Sequence, residues 1–298
     1  MADAPSALPP WWPQRGHSRF ERAGALHWHV QHWGDRRRPL ALLLHGTGAG
    51  SFSFRHLAPL LARHFEVLAP DLPGHAFTHT PPSQALSLPG VAAALAQWLH
   101  QGGRQPALLV GHSAGAAIAL QMVLDGAVQP RVVVSINGAI LPLRGAVGRW
   151  FSPTARLLAT NPLVPGAFAA WASLPGVARR LLDSTGSRVD PLGERCYARL
   201  VSDPSHAAGA LRLMASWALE PLEAALPGLH TPLWLLAAAG DRTLPPAHAR
   251  RVHALLPHAH LVELPGLGHL AHEEDAEAVA ALVQQAWEAA VPADVNSD

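Results

Sequence analysis

The sequence predicts an α/β fold: a mostly parallel central sheet with helices on both faces and an inserted helical cap. Three observations carry that expectation. Short apolar runs alternate with helix-patterned stretches, as parallel strands buried on both faces require. Between Asn137 and Pro232 the alternation gives way to short helices punctuated by proline. Hydrophobic residues make up 49% of the 298 and charged residues only 14%, a composition that builds a large core and argues against disorder.

In chain order, "ALHWHVQHW" alternates like an early antiparallel strand, and "PLALLLHG" is a buried strand followed by a helix around Phe54 to Ala62. "FEVLAPD" is a strand and Leu88 to His100 a helix; "PALLVGH" leads into a helix of small residues, and "RVVVSING" is a further strand. After the break come "PLWLLAAAGD", a helix from about Pro246 to Leu256, "AHLVELPG", and a last helix from about Asp275 to Ala290. Within the break, Ser152 before Pro153 and Asp203 before Pro204 read as N-caps with proline at the first helical position. The expected core is therefore 1–138 and 231–298, with a cap at 139–230. A cap there lies over the strands' C-terminal edge, where open α/β sheets bind ligands.

Composition removes several functions. All 22 basic residues are arginine, so Schiff-base lysines, Ser-x-x-Lys pairs and lysine-bearing phosphate loops are absent. A net charge of +1 offers no reason to expect nucleic acid. The single cysteine, Cys196, excludes an internal disulfide and fits a reducing compartment. No apolar run reaches the ~20 residues of a membrane span, and "MADAPSALPPWWPQRG" lacks the pattern of a secretion signal. The expectation is a cytoplasmic protein without an integral membrane segment. Histidine pairs at i,i+2, His27/His29 and His258/His260, lack a third ligand at zinc spacing, so neither metal nor other cofactor is expected.

The chemistry sits at strand ends. Gly111-His112-Ser113-Ala114-Gly115 matches G-x-S-x-G between a strand and a helix. Lifting a serine out of so tight a turn demands a strained backbone, costing about 1–3 kcal/mol, and leaves no room for a Cβ at Gly111 or Gly115. The turn aims the Ala114 N–H, at a helix N-terminus, at the place where an oxyanion forms. Asp241 follows "WLLAAAG" and His269 lies in "LPGLGHLAHEE", in the chain order serine, acid, histidine. In this reading His269 takes the Ser113 proton while Asp241 holds the other imidazole N–H. Asn137 also stands at a strand end where an acid can occur, but its amide leaves Asp241 the better candidate. The bend His45-Gly46-Thr47-Gly48-Ala49-Gly50 after "LALLL" supplies Thr47 N–H as second oxyanion donor, with Gly48 N–H as the alternative. His45, Gly46, Gly48 and His112 are assigned to the substrate-binding wall.

With these motifs in place the chain resembles the α/β-hydrolase superfamily over nearly its full length. "LLLHGTGAGSFSFRHLAPLLA", "VLAPDLPGHAFT", "VGHSAGAAIALQM", "FSPTARLLATNP", "TGSRVDPLGERCYARL" and "GLGHLAHEE" are similar to the magnesium-chelatase accessory hydrolases of bacteriochlorophyll biosynthesis. One departure is Ala76 in "PGHAFT", where the superfamily usually has glycine. The resemblance implies a serine hydrolase acting beside the magnesium-insertion step, with a small acyl or porphyrin-type substrate and magnesium chelatase subunits as partners. Without a phosphate-loop lysine the chain would be an accessory factor. A non-catalytic alternative is a porphyrin holder or chelatase-docking protein. It would use cap aromatics (Trp150, Phe151, Phe168, Trp171, Trp217) and arginines (Arg144, Arg149, Arg156, Arg179, Arg180) to stack on a macrocycle and pair its propionates. The competing reading makes those aromatics the cap's own core and the arginines its solvated face. An unrelated esterase or carbon–carbon-bond hydrolase is a third reading.

Overall fold

In the computed structural model, residues 8–79, 85–142, 161 and 163–290 are described. They form an eight-stranded sheet in the order β1-β2-β4-β3-β5-β6-β7-β8. The strands are β1 (Ser18–Ala23), β2 (Leu26–Trp33), β3 (Leu40–Leu44), β4 (Glu66–Pro70), β5 (Leu108–His112), β6 (Val132–Ile136), β7 (Leu233–Ala238) and β8 (His260–Leu264). β2 runs antiparallel to β1 and β4, and every other pairing is parallel. The fold class expected from the alternating apolar runs is the one observed.

Strand alternation divides the core into two halves. Leu42, Leu44, Leu109, Val133 and Leu235 face α2 (Leu88–Gln101), α3 (Ala114–Leu124) and α9 (Ala247–Leu255) in one apolar cluster. Their neighbours Leu43, Val110, Val134 and Leu236 face α1 (Leu57–Leu61) and α11 (Ala276–Ala290) in the other. Because successive side chains point to opposite faces, an unbroken apolar run is what a strand covered on both sides needs.

Between β6 and β7 lie α4 (Leu163–Ala172), α5 (Val177–Ser184), α6 (Pro191–Val201), α7 (Pro204–Ala215) and α8 (Glu220–Ala225). The Asp203 side chain accepts hydrogen bonds from Ser205 N and His206 N with Pro204 at the helix start, as the sequence pattern requires. Asp190 does the same for α6. The cap expected at Ser152 lies outside the described residues. A third apolar cluster, including Trp12, Phe52, Phe77, Leu182, Tyr197 and Leu270, forms the seam between these helices and the loops that leave the sheet.

Two local expectations need correction. β1 is absent from the sequence reading because "SRFERA" is an edge strand, half of it exposed and half of it charged, that pairs only with β2. The helix expected over Phe54 to Ala62 is instead a 3-10 turn, Ser51–Phe54, followed by the short α1. The last helix is likewise preceded by a separate turn, α10 (Ala271–Glu274). Among the described residues, no helix is long and apolar enough to cross a membrane.

Candidate active site

β5 ends directly in Ser113, whose backbone has φ 51° and ψ −117° before α3 begins at Ala114. The cost of that conformation is offset by hydrogen bonds from Ser113 N to Ile136 O (3.1 Å) and from Ala139 N to Ser113 O (3.0 Å). Both flanking glycines are obligatory. A Cβ on Gly111 would lie 2.5 Å from the Ala116 backbone, and one on Gly115 would lie 2.0 Å from Leu44 O. Sheet and helix therefore meet backbone to backbone, and the serine is left at the rim of a cavity.

Asp241 lies just past β7 and divides its carboxylate between two tasks. Oδ1 accepts from Thr243 N (2.7 Å) and Leu244 N (2.8 Å), closing the turn. Oδ2 accepts from His269 Nδ1 at 2.7 Å. That bond leaves His269 Nε2 without a partner among the described residues. Ser113 Oγ likewise makes no hydrogen bond among them, but both residues line the same cavity.

The His269 loop is braced from beneath. Asn137, at φ 46° past β6, donates Nδ2 to His269 O (2.9 Å) and Gly268 O (3.1 Å). Its Oδ1 accepts from Ala238 N at 2.7 Å. His112 Nε2 donates to the same His269 carbonyl at 2.9 Å. Asn137 thus fixes the backbone carrying the histidine, and its amide is needed because one donor and one acceptor are both used. Burial, together with His272 and His269 nearby, pushes the His112 imidazole well below its usual pKa, so it remains neutral.

The glycine-rich bend after β3 brings Gly46, Thr47 and Gly48 to the cavity wall beside Ser113, His112 and Ala114. The N–H groups of Thr47 and Ala114 have no acceptor among the described residues. His45 is placed elsewhere, which corrects its assignment to the substrate wall. It is fully buried, donating Nδ1 to Gly46 O (2.8 Å) and accepting the Leu72 N–H on Nε2 (2.8 Å). Its ring holds the bend in shape and has no nitrogen left for a ligand.

The family model described as "Alpha/beta hydrolase family" matches residues 41–282, a span containing every residue just described. The chain belongs to the α/β hydrolase family. It is 38% identical over 279 residues to "Magnesium-chelatase 30 kDa subunit" of Rhodobacter capsulatus, covering 94% of this chain and 97% of that one. It is 26% identical over 255 residues to "Uncharacterized hydrolase YugF" of Bacillus subtilis, covering 84% and 90%. An alpha/beta hydrolase fold protein from Burkholderia ambifaria superposes with a TM-score of 0.73 at 21% identity, over 90% of this chain and 100% of that one, a likeness of fold.

In this α/β hydrolase the inserted helices roof a cavity of about 470 Å³ over Ser113. Phe168, Leu182, Met214 and Trp217 contribute apolar walls, with Thr185, Tyr197 and His206 as polar points. Trp171, Arg179 and Arg180 are exposed, whereas Arg144, Arg149, Trp150, Phe151 and Arg156 lie outside the described residues.

Sequence reasoning missed the charged seam behind the cavity. Arg55, 3% exposed, pairs with Asp190, the N-cap of α6, and with Glu273 of α10. Glu273 Oε1 accepts the Tyr197 hydroxyl at 2.7 Å. Burial pushes the Glu273 carboxyl above its usual pKa, against the opposing pull of Arg55. The signal present in the sequence was a glutamate four residues after His269, but its partners are 218 and 76 residues away.

Proposed function

We propose that this chain is a serine hydrolase that cleaves an ester or related acyl substrate through Ser113, His269 and Asp241. Ser113 Oγ attacks the carbonyl carbon while His269 Nε2 takes its proton. Asp241 holds Nδ1–H and stabilises the imidazolium. The developing oxyanion is received by the N–H groups of Thr47 and Ala114, each worth about 3–4 kcal/mol in such a site. Collapse expels the alcohol with the proton from His269. Water, deprotonated by the same imidazole, then releases the acid from acyl-Ser113. The observation that carries the reading is the 2.7 Å His269–Asp241 bond at the cavity where Ser113 stands on its strained turn. Catalytic hydrogen bonds to the nucleophile are often loose before substrate arrives.

Its biological place, in this proposal, is as an accessory factor at the magnesium-chelatase step of bacteriochlorophyll synthesis, with chelatase subunits as partners. The 38% identity to the chelatase 30 kDa subunit supports this. A chain without lysine lacks the phosphate-loop residue of an ATP-hydrolysing subunit, which fits an accessory role.

The test combines p-nitrophenyl ester turnover with complementation of a strain lacking the gene, comparing wild type with Ser113→Ala. The expected result is turnover and complementation by wild type and neither by the variant. No turnover by folded wild type, with full complementation by Ser113→Ala, would contradict catalysis and support a porphyrin-holding or docking role on the same scaffold.

A further inference from the structure

His206 is a cap residue that grips two loops of the core. It lies in the first turn of α7 and is 3% exposed. Its Nδ1 accepts the Ala76 N–H at 2.9 Å, and its Nε2 donates to Gly48 O at 3.2 Å. Only the neutral, Nε2-protonated ring makes both bonds. Burial favours that form, lowering the pKa to about 4.

The surrounding backbone is shaped for this grip. A Cβ on Gly209, one turn along α7, would lie 1.7 Å from Gly74 O, so only glycine lets the helix come this close. Ala76 holds φ 45°, a left-handed conformation that costs a non-glycine residue ~1 kcal/mol. That conformation presents its N–H to His206. A Cβ on Gly50 would lie 3.0 Å from the Ala76 methyl, so that methyl buttresses the far end of the Gly46–Gly50 bend. Gly48, at φ 79°, is held by its carbonyl between these supports.

We propose that His206 is the positioning residue for the oxyanion bend, so that the Thr47 N–H is aimed at the cavity only while α7 is seated on the core. The inference rests on the reading given under Proposed function, since the bend has an oxyanion to receive only in a hydrolase. It joins cap seating to transition-state stabilisation. A substrate that displaces α7 would be bound yet cleaved slowly.

The test compares wild type, His206→Leu, His206→Gln and Gly209→Ala by two measurements. One is hydrolysis of p-nitrophenyl butyrate per active site titrated to completion with a fluorophosphonate. The other is hydrogen exchange in peptides covering residues 46–51 and 71–78. His206→Leu, which keeps bulk and loses both bonds, should lower kcat about 10–100-fold, short of the full loss of one oxyanion donor, with little change in KM. It should also speed exchange in both peptides. His206→Gln, able to accept and donate from one amide, should restore most of kcat and protection. Gly209→Ala, which leaves His206 intact but lifts the helix, should behave like His206→Leu. Unchanged kcat and exchange in His206→Leu would overturn the proposal. A fall in kcat with unchanged exchange would also overturn it, by assigning His206 to substrate contact. If wild type neither turns over ester nor labels, the hydrolase reading fails and the catalytic half of this proposal fails with it. Exchange then judges the clasp alone: faster exchange in His206→Leu and Gly209→Ala supports it, and unchanged exchange refutes it.

Discussion

Replacing Asn137 by alanine removes three hydrogen bonds from beneath the His269 loop. The Ala238 N–H, bonded at 2.7 Å within the sheet, loses its acceptor, and Gly268 O loses its donor. His269 O keeps the His112 bond. An orphaned buried polar group costs about 1–3 kcal/mol, so two cost about 2–6 kcal/mol. Alanine at φ 46° adds ~1 kcal/mol of backbone strain. A total loss of about 5 kcal/mol corresponds to roughly 10–20 °C in Tm for a large domain. The His269 loop, held from one side only, should shift, and a displacement of about 1 Å can cost 10²-fold in rate. Asn137→Gly separates the terms, since it keeps the side-chain loss and removes the strain. Asn137→Asp turns acceptor oxygens toward two carbonyls and should be at least as damaging as alanine. Calorimetry, with kcat per titrated site, is the assay. An Asn137→Asp protein as stable and active as wild type would refute this account of the residue and reopen its reading as an acid position.

Three further outcomes follow from the packing and charge. Arg55→Met leaves Glu273 and Asp190 without their shared cation and should cost about 3–5 kcal/mol, read by urea unfolding. The double variant Arg55→Met/Glu273→Gln should recover part of that loss. Gly115→Ala places a Cβ 2.0 Å from Leu44 O and should abolish soluble expression or turnover, whereas Gly166→Ala, with open space around it, should do neither. Acid should destabilise the protein early. His206 and His248 titrate near 4 and His272 near 3 in the folded chain because burial opposes their charging. The unfolded chain takes up those protons near 6.5, so stability falls as pH drops from about 6.5 toward 4. Full protonation costs the folded state about 3 kcal/mol at His206 or His248 and about 5 kcal/mol at His272. Equilibrium unfolding at stepped pH checks this, and a flat profile over that window would contradict it.

The parts that sequence reasoning reached are those encoded locally. Strands β3 to β7 announce themselves as apolar runs because both faces are covered, whereas the partly exposed edge strand β8 is marked only by Leu261, Val262 and Leu264. The Ser113 turn is legible because two glycines must flank a serine between strand and helix. Asp241 and His269 are legible by position at strand ends. What escaped was non-local or was carried by pairing. β1 is polar because an edge strand needs only its partner's hydrogen bonds, and nothing in "SRFERA" marks it as strand rather than loop. Arg55, Tyr197 and Glu273 come from three distant segments and acquire meaning only when the inserted helices dock. His45 was misread because a histidine beside a glycine bend looks ligand-ready, whereas both its nitrogens are used in shaping that bend.

The most direct test is a crystal structure of the fluorophosphonate adduct. The account predicts phosphorus bonded to Ser113 Oγ, with its phosphoryl oxygen about 3 Å from both Thr47 N and Ala114 N, and with His269 still bonded to Asp241. Phosphorus on another side chain, or its oxygen turned away from those two N–H groups, would contradict it.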